Sequence, residues 1–148
     1  MNTNAPTAST HRFHESATAK VQGRASYIDD LPLVEDTLHA APLMSPLANA
    51  QLIAMDLEAV LAAPGVVGTV TAQDIPGDPL LATFVHDEPI FAGPQLMHVG
   101  QVMGLVLGHS HTQARQAARH LRLQTTQEPP LLHAREALQA GSFVLPQV

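Results

Sequence analysis

The 148-residue sequence contains no cysteine. Without thiols the chain cannot form disulfides, cannot hold zinc or an iron–sulfur cluster through thiolates, and has no cysteine nucleophile. A redox cofactor would therefore have to be held by other residue types.

Positive charge and long apolar runs are also scarce. Seven lysines and arginines stand against 13 aspartates and glutamates, which gives a net charge of −6 and a pI near 5.8. Binding to phosphate groups needs clustered Lys and Arg, so this balance argues against a nucleic acid or an anionic membrane as partner. No apolar run approaches the roughly 20 residues that span a bilayer, and the N-terminal residues are not apolar, so we expect a cytoplasmic protein.

The composition is nevertheless sufficient for a folded domain with a hydrophobic core. Hydrophobic residues make up 45% of the chain, and a domain of this size buries about two thirds of the surface that its unfolded chain exposes. Residues 1–13 are too polar to pack and are predicted to form a disordered tail. Residues 14–148 are predicted to form one domain.

The clearest structural pattern is a strand, a helix and a second strand in succession. An apolar run predicts a strand over 102–108, after which the hydrophobic residues recur with a helical period. Ser110 and Gln113 have the spacing of a capping box, which predicts a helix over 111–120. The hydrophobic period then returns to two, which predicts a strand over 121–126.

A second unit of the same plan precedes this one. Strands are predicted over 52–55 and 66–71, with a helix over 57–63 between them. Asp56 is suited to cap that helix, and Gly65 can take the positive φ that a C-terminal turn requires. Two such units predict an α/β or α+β fold, with each unit crossing over right-handed. Of these classes we favour α+β, with the two units around a mixed sheet.

Further elements are expected outside the two units. Pro42 confines a strand over Leu38–Met44 to a sheet edge or a bulge. The remaining predictions are a weak strand over Val21–Ile28, a short helix over Ala134–Gln139 and an extended segment from Val144.

The connection over residues 72–96 contains four of the twelve prolines. It is predicted to be an ordered loop with short strands around Leu80–Val85, because it is too long for a tight turn and lacks a helical period. Asp87-Glu88 could serve general acid/base catalysis. The following Pro89 and the absence of a matched partner favour a partner-facing or capping role.

Two histidine pairs and one acidic pair are candidates for other chemistry. Each histidine pair lacks a third ligand nearby, so surface or capping roles are favoured over metal binding. The adjacent acidic residues would point to opposite faces of an extended chain, which favours a solvated turn over an acid/base dyad. These residues are His11 and His14, His109 and His111, and Asp29-Asp30.

The last part of the chain contains a glycine repeat and a group of arginines. The glycines at positions 100, 104 and 108 would share one face of a strand and allow another element to approach closely. Arg115, Arg119 and Arg122 would share one helix face, for which a solvated role is favoured over docking. No phosphate loop and no nucleophile with a matched base are present, so we predict no catalytic, cofactor-binding or metal-binding residue.

Several blocks, taken in order, resemble one known family, the α/β-hammerhead domain of the molybdenum-binding subunit of xanthine dehydrogenase and aldehyde oxidase relatives. The last block is most similar to the bacterial xanthine dehydrogenase version. Asp78-Pro79 and Val102 depart from the usual pattern, which affects the branch more than the fold. The blocks are KVQGRASYIDDLP (20–32), LHAAPLMSPLANAQLIAMD (38–56), PGVVGTVTAQDIPG (64–77), DEPIFAG (87–93), VGQVMGLVLGHSHTQARQAARHL (99–121) and AGSFVLP (140–146).

The resemblance implies an N-terminal domain of a larger molybdenum hydroxylase, excised or encoded as a truncated product. It implies molybdenum–molybdopterin, iron–sulfur clusters and FAD for the full enzyme, all bound outside these residues. The expected partners are the remaining molybdenum-binding domains and the FAD/iron–sulfur subunit. Purine hydroxylation would belong to the full enzyme, and we expect the isolated chain to be inactive and to self-associate.

The predicted partner interface consists of Asp87, Glu88 and Pro89 together with the Gly100-Gln101 turn. A loop with several prolines is rigid and therefore presents contacts at little entropic cost. Three alternatives stay open. The chain could be a stand-alone interaction module without catalysis, a family member acting on aldehydes or other heterocycles, or a small metal-dependent enzyme using His109, His111, Asp87 and Glu88.

Overall fold

A computed structural model describes residues 14–82 and 84–143. They divide into two compact units, of which the first ends at Glu35 and the second begins at Asp36. The tail predicted over 1–13 and the extended segment predicted from Val144 lie outside the described residues.

The first unit contains a short helix where part of a strand was predicted. Helix α1 covers Ala17–Val21 and ends in a Schellman motif, in which the backbone N–H of Arg24 donates to the carbonyl of Ala19 at 2.8 Å. Gly23 makes this motif possible because its φ is +66°. The strand prediction over Val21–Ile28 was therefore wrong, since Gly23 terminates a helix and does not interrupt a strand.

The acidic pair of the first unit forms the capped turn that was favoured over a dyad. Residues Ile28–Asp30 make one turn of 3-10 helix. The Asp30 carboxylate accepts the backbone N–H of Tyr27 at 2.9 Å. That carboxylate is thus used for local capping.

The second unit contains three helices and eight strands among the described residues. The helices are α2 (Glu58–Leu61), α3 (His111–Ala118) and α4 (Ala134–Gln139). The strands are β1 (His39–Met44), β2 (Ala50–Asp56), β3 (Val66–Thr71), β4 (Leu80–Ala82), β5 (His86–Pro89), β6 (Gln95–Leu96), β7 (Val102–Gly108) and β8 (Arg122–Gln127).

The strands form two three-stranded sheets and one hairpin. The first sheet has the order β1-β7-β3, the second has the order β6-β2-β8, and β4 pairs with β5. Every pairing is antiparallel. The α+β class is confirmed, whereas the mixed sheet was wrong because no pair within the described residues is parallel.

The two strand-helix-strand units are present, but each one joins the two sheets. Strand β2 lies in the second sheet and β3 in the first, while β7 lies in the first and β8 in the second. The expected right-handed crossover within one sheet was therefore wrong. Strand β3 pairs with β7 and β2 with β8, so the two units interlock through antiparallel pairs.

Helix α3 begins as the sequence predicted. The Ser110 hydroxyl accepts the backbone N–H of Gln113 at 3.2 Å and also donates to the side-chain oxygen of Gln113 at 3.0 Å. Gly65 packs against the Gln113 side chain, which would have to shift to admit a Cβ atom, and its φ of +79° is a conformation that L side chains rarely adopt. The helix ends at Ala118, so Arg122 lies in strand β8 and does not share the helix face predicted for it.

Two hydrophobic clusters form on either side of strand β7. One is centred on Leu43, Val60, Val106 and Ala117, and the other on Ala50, Ala92, Leu96 and Met103. Successive strand side chains point to opposite faces, so Val106 and Met103 enter different clusters. Leu121, which follows α3, contacts both clusters and links the two sheets. Within the described ranges, no helix combines the length and apolarity needed to cross a bilayer.

Candidate partner interface

The five residues predicted to form an interface line a single open cleft of about 570 Å³. Two segments meet there, the second strand of the hairpin and the loop that leads into β7. Ile90, Met97 and His98 also line the cleft. The structure thus brings the predicted residues together, and their role in binding a partner stays a prediction.

Asp87, Glu88 and Pro89 lie on strand β5, in a region that was predicted to be loop. The hairpin register pairs Leu80 with Pro89 and Leu81 with Glu88. The side chains of His86 and Asp78 approach to 2.9 Å and link β5 to the segment that precedes β4. The acidic residues are therefore presented on strand β5, whose four side chains are exposed.

The Gly100-Gln101 turn is held against the end of strand β1. Gly100 has φ +85°, a conformation that favours glycine. Its N–H donates to the Ser45 carbonyl at 2.8 Å, and the Ser45 N–H donates to the Gln101 carbonyl at 2.9 Å. Ser45 is buried, and its hydroxyl donates to the Leu47 carbonyl at 2.9 Å. The turn is consequently fixed by a buried anchor.

The Gln101 side chain stabilises the loop from within. Its Oε1 atom accepts the backbone N–H of Met97 at 2.7 Å. The loop so closed presents Met97 and Val99 to solvent, with exposed fractions of 71% and 64%. An ordered loop with exposed apolar side chains is a common feature of binding surfaces.

A second cleft, of about 410 Å³, lies on the other side of this loop. Met97 and His98 line both clefts, and Val99, Leu131 and Leu132 contribute to the second. Leu132 is 72% exposed. The Met97–Val99 segment therefore forms a ridge between two clefts, and the exposed apolar surface extends beyond the five predicted residues.

Sequence reasoning missed the apolar half of this surface. Ile90, Met97 and Val99 were not singled out, although all three flank the acidic or glycine-containing segments that were. The available signal was the presence of apolar residues between closely spaced prolines and glycines, where no periodic element could bury them.

The histidines proposed for the metal-dependent alternative are not part of a ligand set. His109 and His111 are both exposed and stand where β7 leads into α3. In residues 14–82 and 84–143 no group of three or more His, Cys, Asp or Glu could hold a metal ion. Metal sites with protein ligands need about three or four such groups, so these donors do not fit a metal cofactor.

The sequence matches the family model for the aldehyde oxidase and xanthine dehydrogenase a/b hammerhead domain over residues 22–129. The chain belongs to this family. The hammerhead domain accounts for the two interlocked strand-helix-strand units, and the resemblance stated from the sequence blocks is confirmed.

Individual relatives agree with this assignment. Xanthine dehydrogenase from Oryza sativa subsp. japonica is 36% identical over 130 residues, which cover 88% of this chain and 10% of that protein. Aldehyde oxidase 4 from Cavia porcellus is 33% identical over 136 residues, which cover 91% of this chain and 10% of that protein. The solved structure of the aldehyde oxidoreductase from Desulfovibrio desulfuricans superposes with a TM-score of 0.76 at 26% identity, covering 87% of this chain and 16% of that one.

The hammerhead chain thus spans about a tenth of the length of the relatives it matches. The family consists of large oxidoreductases, and this domain is one part of their architecture. With no cysteine in the sequence and no three-ligand group among the described residues, an iron–sulfur cluster or a metal ion held directly by protein side chains does not fit the donors present here.

Proposed function

We propose that this hammerhead domain is a packing module of a xanthine dehydrogenase-like molybdenum hydroxylase. It would hold the molybdenum-binding domains in register without contributing a catalytic residue. The observation that carries this proposal is the cleft formed by Asp87, Glu88, Pro89, Gly100 and Gln101, which combines a rigid backbone with exposed apolar side chains.

The geometry of the cleft favours docking over catalysis. Asp87 lies at a register shift of the hairpin, and both it and Glu88 are exposed, so the two carboxylates do not form a buried acid/base pair. The nearby Gln101 side chain is occupied in closing the Met97 turn. The neighbouring apolar groups would lose water on contact with another domain, which is a favourable contribution to association.

The proposed partners are the remaining molybdenum-binding domains and the FAD/iron–sulfur subunit, with molybdopterin, iron–sulfur clusters and FAD bound there. The proposed reaction of the full enzyme is the hydroxylation of a purine such as xanthine, in the cytoplasm. Identity of 36% to a xanthine dehydrogenase, against 33% to an aldehyde oxidase, favours the purine branch by a small margin, since a second xanthine dehydrogenase/oxidase is 30% identical. An aldehyde-oxidising enzyme is the second candidate, because its relatives match the chain over a similar length.

Substrate comparison on a holoenzyme that contains this domain tests the proposed reaction. Dye-coupled turnover of xanthine should exceed that of benzaldehyde and of quinoline at equal concentrations. Faster turnover of benzaldehyde would replace the purine assignment with the aldehyde candidate.

The packing role is tested on the isolated chain. Because the cleft would be left open to water, the chain should self-associate in sedimentation experiments at rising concentration, and Met97→Asp should reduce that association. Gln139→Asp, at an exposed position of α4, introduces the same single negative charge and is the matched control. A strictly monomeric chain whose residues 97–101 exchange their amide hydrogens rapidly would contradict the proposed interface.

A further inference from the structure

A groove beside α3 concentrates positive charge. This basic groove has a volume of about 510 Å³ and is lined by Ala41, Pro42, Met44, His111, Arg115, Ala118 and Arg119. Two of the seven basic residues of the sequence line it together with a histidine, and no carboxylate does. In a chain of net charge −6 this local excess is unexpected.

The two arginines are available for an external ligand. Both are exposed, and within residues 14–82 and 84–143 no carboxylate lies within ion-pair distance of either guanidinium group. They are four residues apart on one helix face, which places them about 6 Å apart along the axis. A guanidinium group binds a carboxylate through two parallel N–H donors, so the pair offers two geometrically defined acidic subsites.

The opposite wall of the groove is apolar and belongs to a sheet edge. Strand β1 is an outer strand of its sheet, and its residues Ala41, Pro42 and Met44 line the groove. Met44 is 53% exposed. Proline has no N–H to donate, so a partner strand could not form a continuous hydrogen-bonded ladder along this edge. Recognition must therefore rely on side chains.

We propose that the basic groove binds an acidic segment of another protein, with two carboxylates on Arg115 and Arg119 and an apolar side chain on Pro42 and Met44. Carboxylates two residues apart on an extended chain are separated by about 6.6 Å, close to the spacing of the arginines. Charge complementarity favours a short acidic segment over nucleic acid, because two arginines and one histidine can pair with a few carboxylates but do not form the extended Lys and Arg cluster that binds a phosphate backbone. The surface lies outside the packing cleft proposed above and extends the function beyond it.

Binding of poly-L-glutamate to the isotope-labelled chain at low ionic strength tests the acidic half of the proposal. A homopolymer samples every register, so a mismatch in sequence cannot hide binding. We expect chemical-shift changes at α3 and at least a tenfold loss of affinity in Arg115→Gln/Arg119→Gln. Arg122→Gln, which neutralises an exposed arginine on β8, should leave the affinity within a factor of two.

A glutamate–tyrosine copolymer tests the apolar half. It should bind more tightly than poly-L-glutamate, and Met44→Ser should remove the difference without affecting binding of the homopolymer. Absence of binding, or equal loss with Arg122→Gln, would overturn the proposal. Tighter binding of single-stranded oligothymidylate than of either polypeptide would overturn the choice of partner, and so would self-association that the double arginine variant abolishes.

Discussion

A Cβ atom at Gly104 of β7 would lie 2.6 Å from the carbonyl oxygen of Val70 on the neighbouring strand β3. The obstacle is backbone, which cannot rotate away as a side chain could. Gly104 belongs to a set of three glycines that recur every four residues. Gly104 and Gly108 both allow the close approach of a neighbouring element that was predicted for them. A Cβ atom at Gly108 would lie 3.1 Å from the Gly65 carbonyl oxygen. Gly100 instead forms a turn with positive φ.

Gly104→Ala should destabilise the domain, because the added methyl group forces the central strand β7 away from β3. Overpacking of this kind costs about 1–3 kcal/mol. Chemical denaturation would measure the loss. Gly68→Ala on β3 is the matched control, since its Cβ would meet nothing within 4 Å and φ is not positive. Equal destabilisation by both variants would show that the contact with Val70 is not responsible.

Leu43 and Met44 are neighbours on β1 with opposite environments. Leu43 is fully buried in the first cluster, whereas Met44 is exposed to the basic groove. Leu43→Ala should lower the free energy of unfolding by about 2–5 kcal/mol through loss of burial and the cavity left behind. Met44→Ala should change it by about 0.5 kcal/mol or less. A larger effect at position 44 in denaturation experiments would contradict the assigned strand orientation.

The local parts of the fold could be predicted from the sequence. Strands over 66–71 and 102–108 were predicted with the observed bounds, and the Ser110 cap fixed the start of α3 correctly. These features depend on period and on contacts between residues a few positions apart. Helix α2 is shorter than predicted and ends at Leu61. Pro64 disfavours helical geometry at Ala63, whose N–H instead donates to the Val60 carbonyl three residues back.

Strand pairing could not be predicted in this way. It joins residues that are distant in the sequence, such as Thr71 with Gly104 and Leu52 with Thr125. The hydrophobic period of β2 and of β3 does not indicate that the two strands belong to different sheets. At the candidate interface, polar and glycine residues were identified from their types. The exposure of Met97 depends on what neighbouring elements leave uncovered, and local sequence does not encode that.

Asp74 provides a test of electrostatics. Its carboxylate accepts the backbone N–H of Thr71 at 2.7 Å and the Thr71 hydroxyl at 2.9 Å, and these hydrogen bonds hold the pKa of Asp74 below its usual value of 3.8. A depressed folded-state pKa means that the stabilisation is present above the unfolded pKa and is lost as pH falls through the folded value. NMR titration should show the lowered pKa, and Thr71→Val, which removes only the hydroxyl donor, should raise it. An unchanged pKa in that variant would assign the shift to the backbone alone.

Gln101→Ala should loosen the ridge between the two clefts. It removes the acceptor for the Met97 N–H, a hydrogen bond of a kind that contributes about 1 kcal/mol. Amide exchange at Met97 should accelerate several-fold. Gln101→Glu retains a side-chain oxygen and should preserve protection. Fast exchange in both variants would mean that the loop depends on the amide group for another reason.

The isolated chain should bind no molybdenum, iron or flavin and should oxidise no purine. The sequence has no thiolate for iron, and the described residues contain no group of three metal-binding side chains. The family resemblance further implies that the segments that bind molybdopterin and FAD lie outside these residues. Elemental analysis and a dye-coupled assay with xanthine would measure this on protein whose folding has been checked by NMR. The metal-dependent alternative is tested in the same samples by zinc titration, with His109→Ala/His111→Ala as the comparison. Stoichiometric metal that this double variant loses, or turnover by the pure chain, would show that the domain carries chemistry of its own and is more than a packing module.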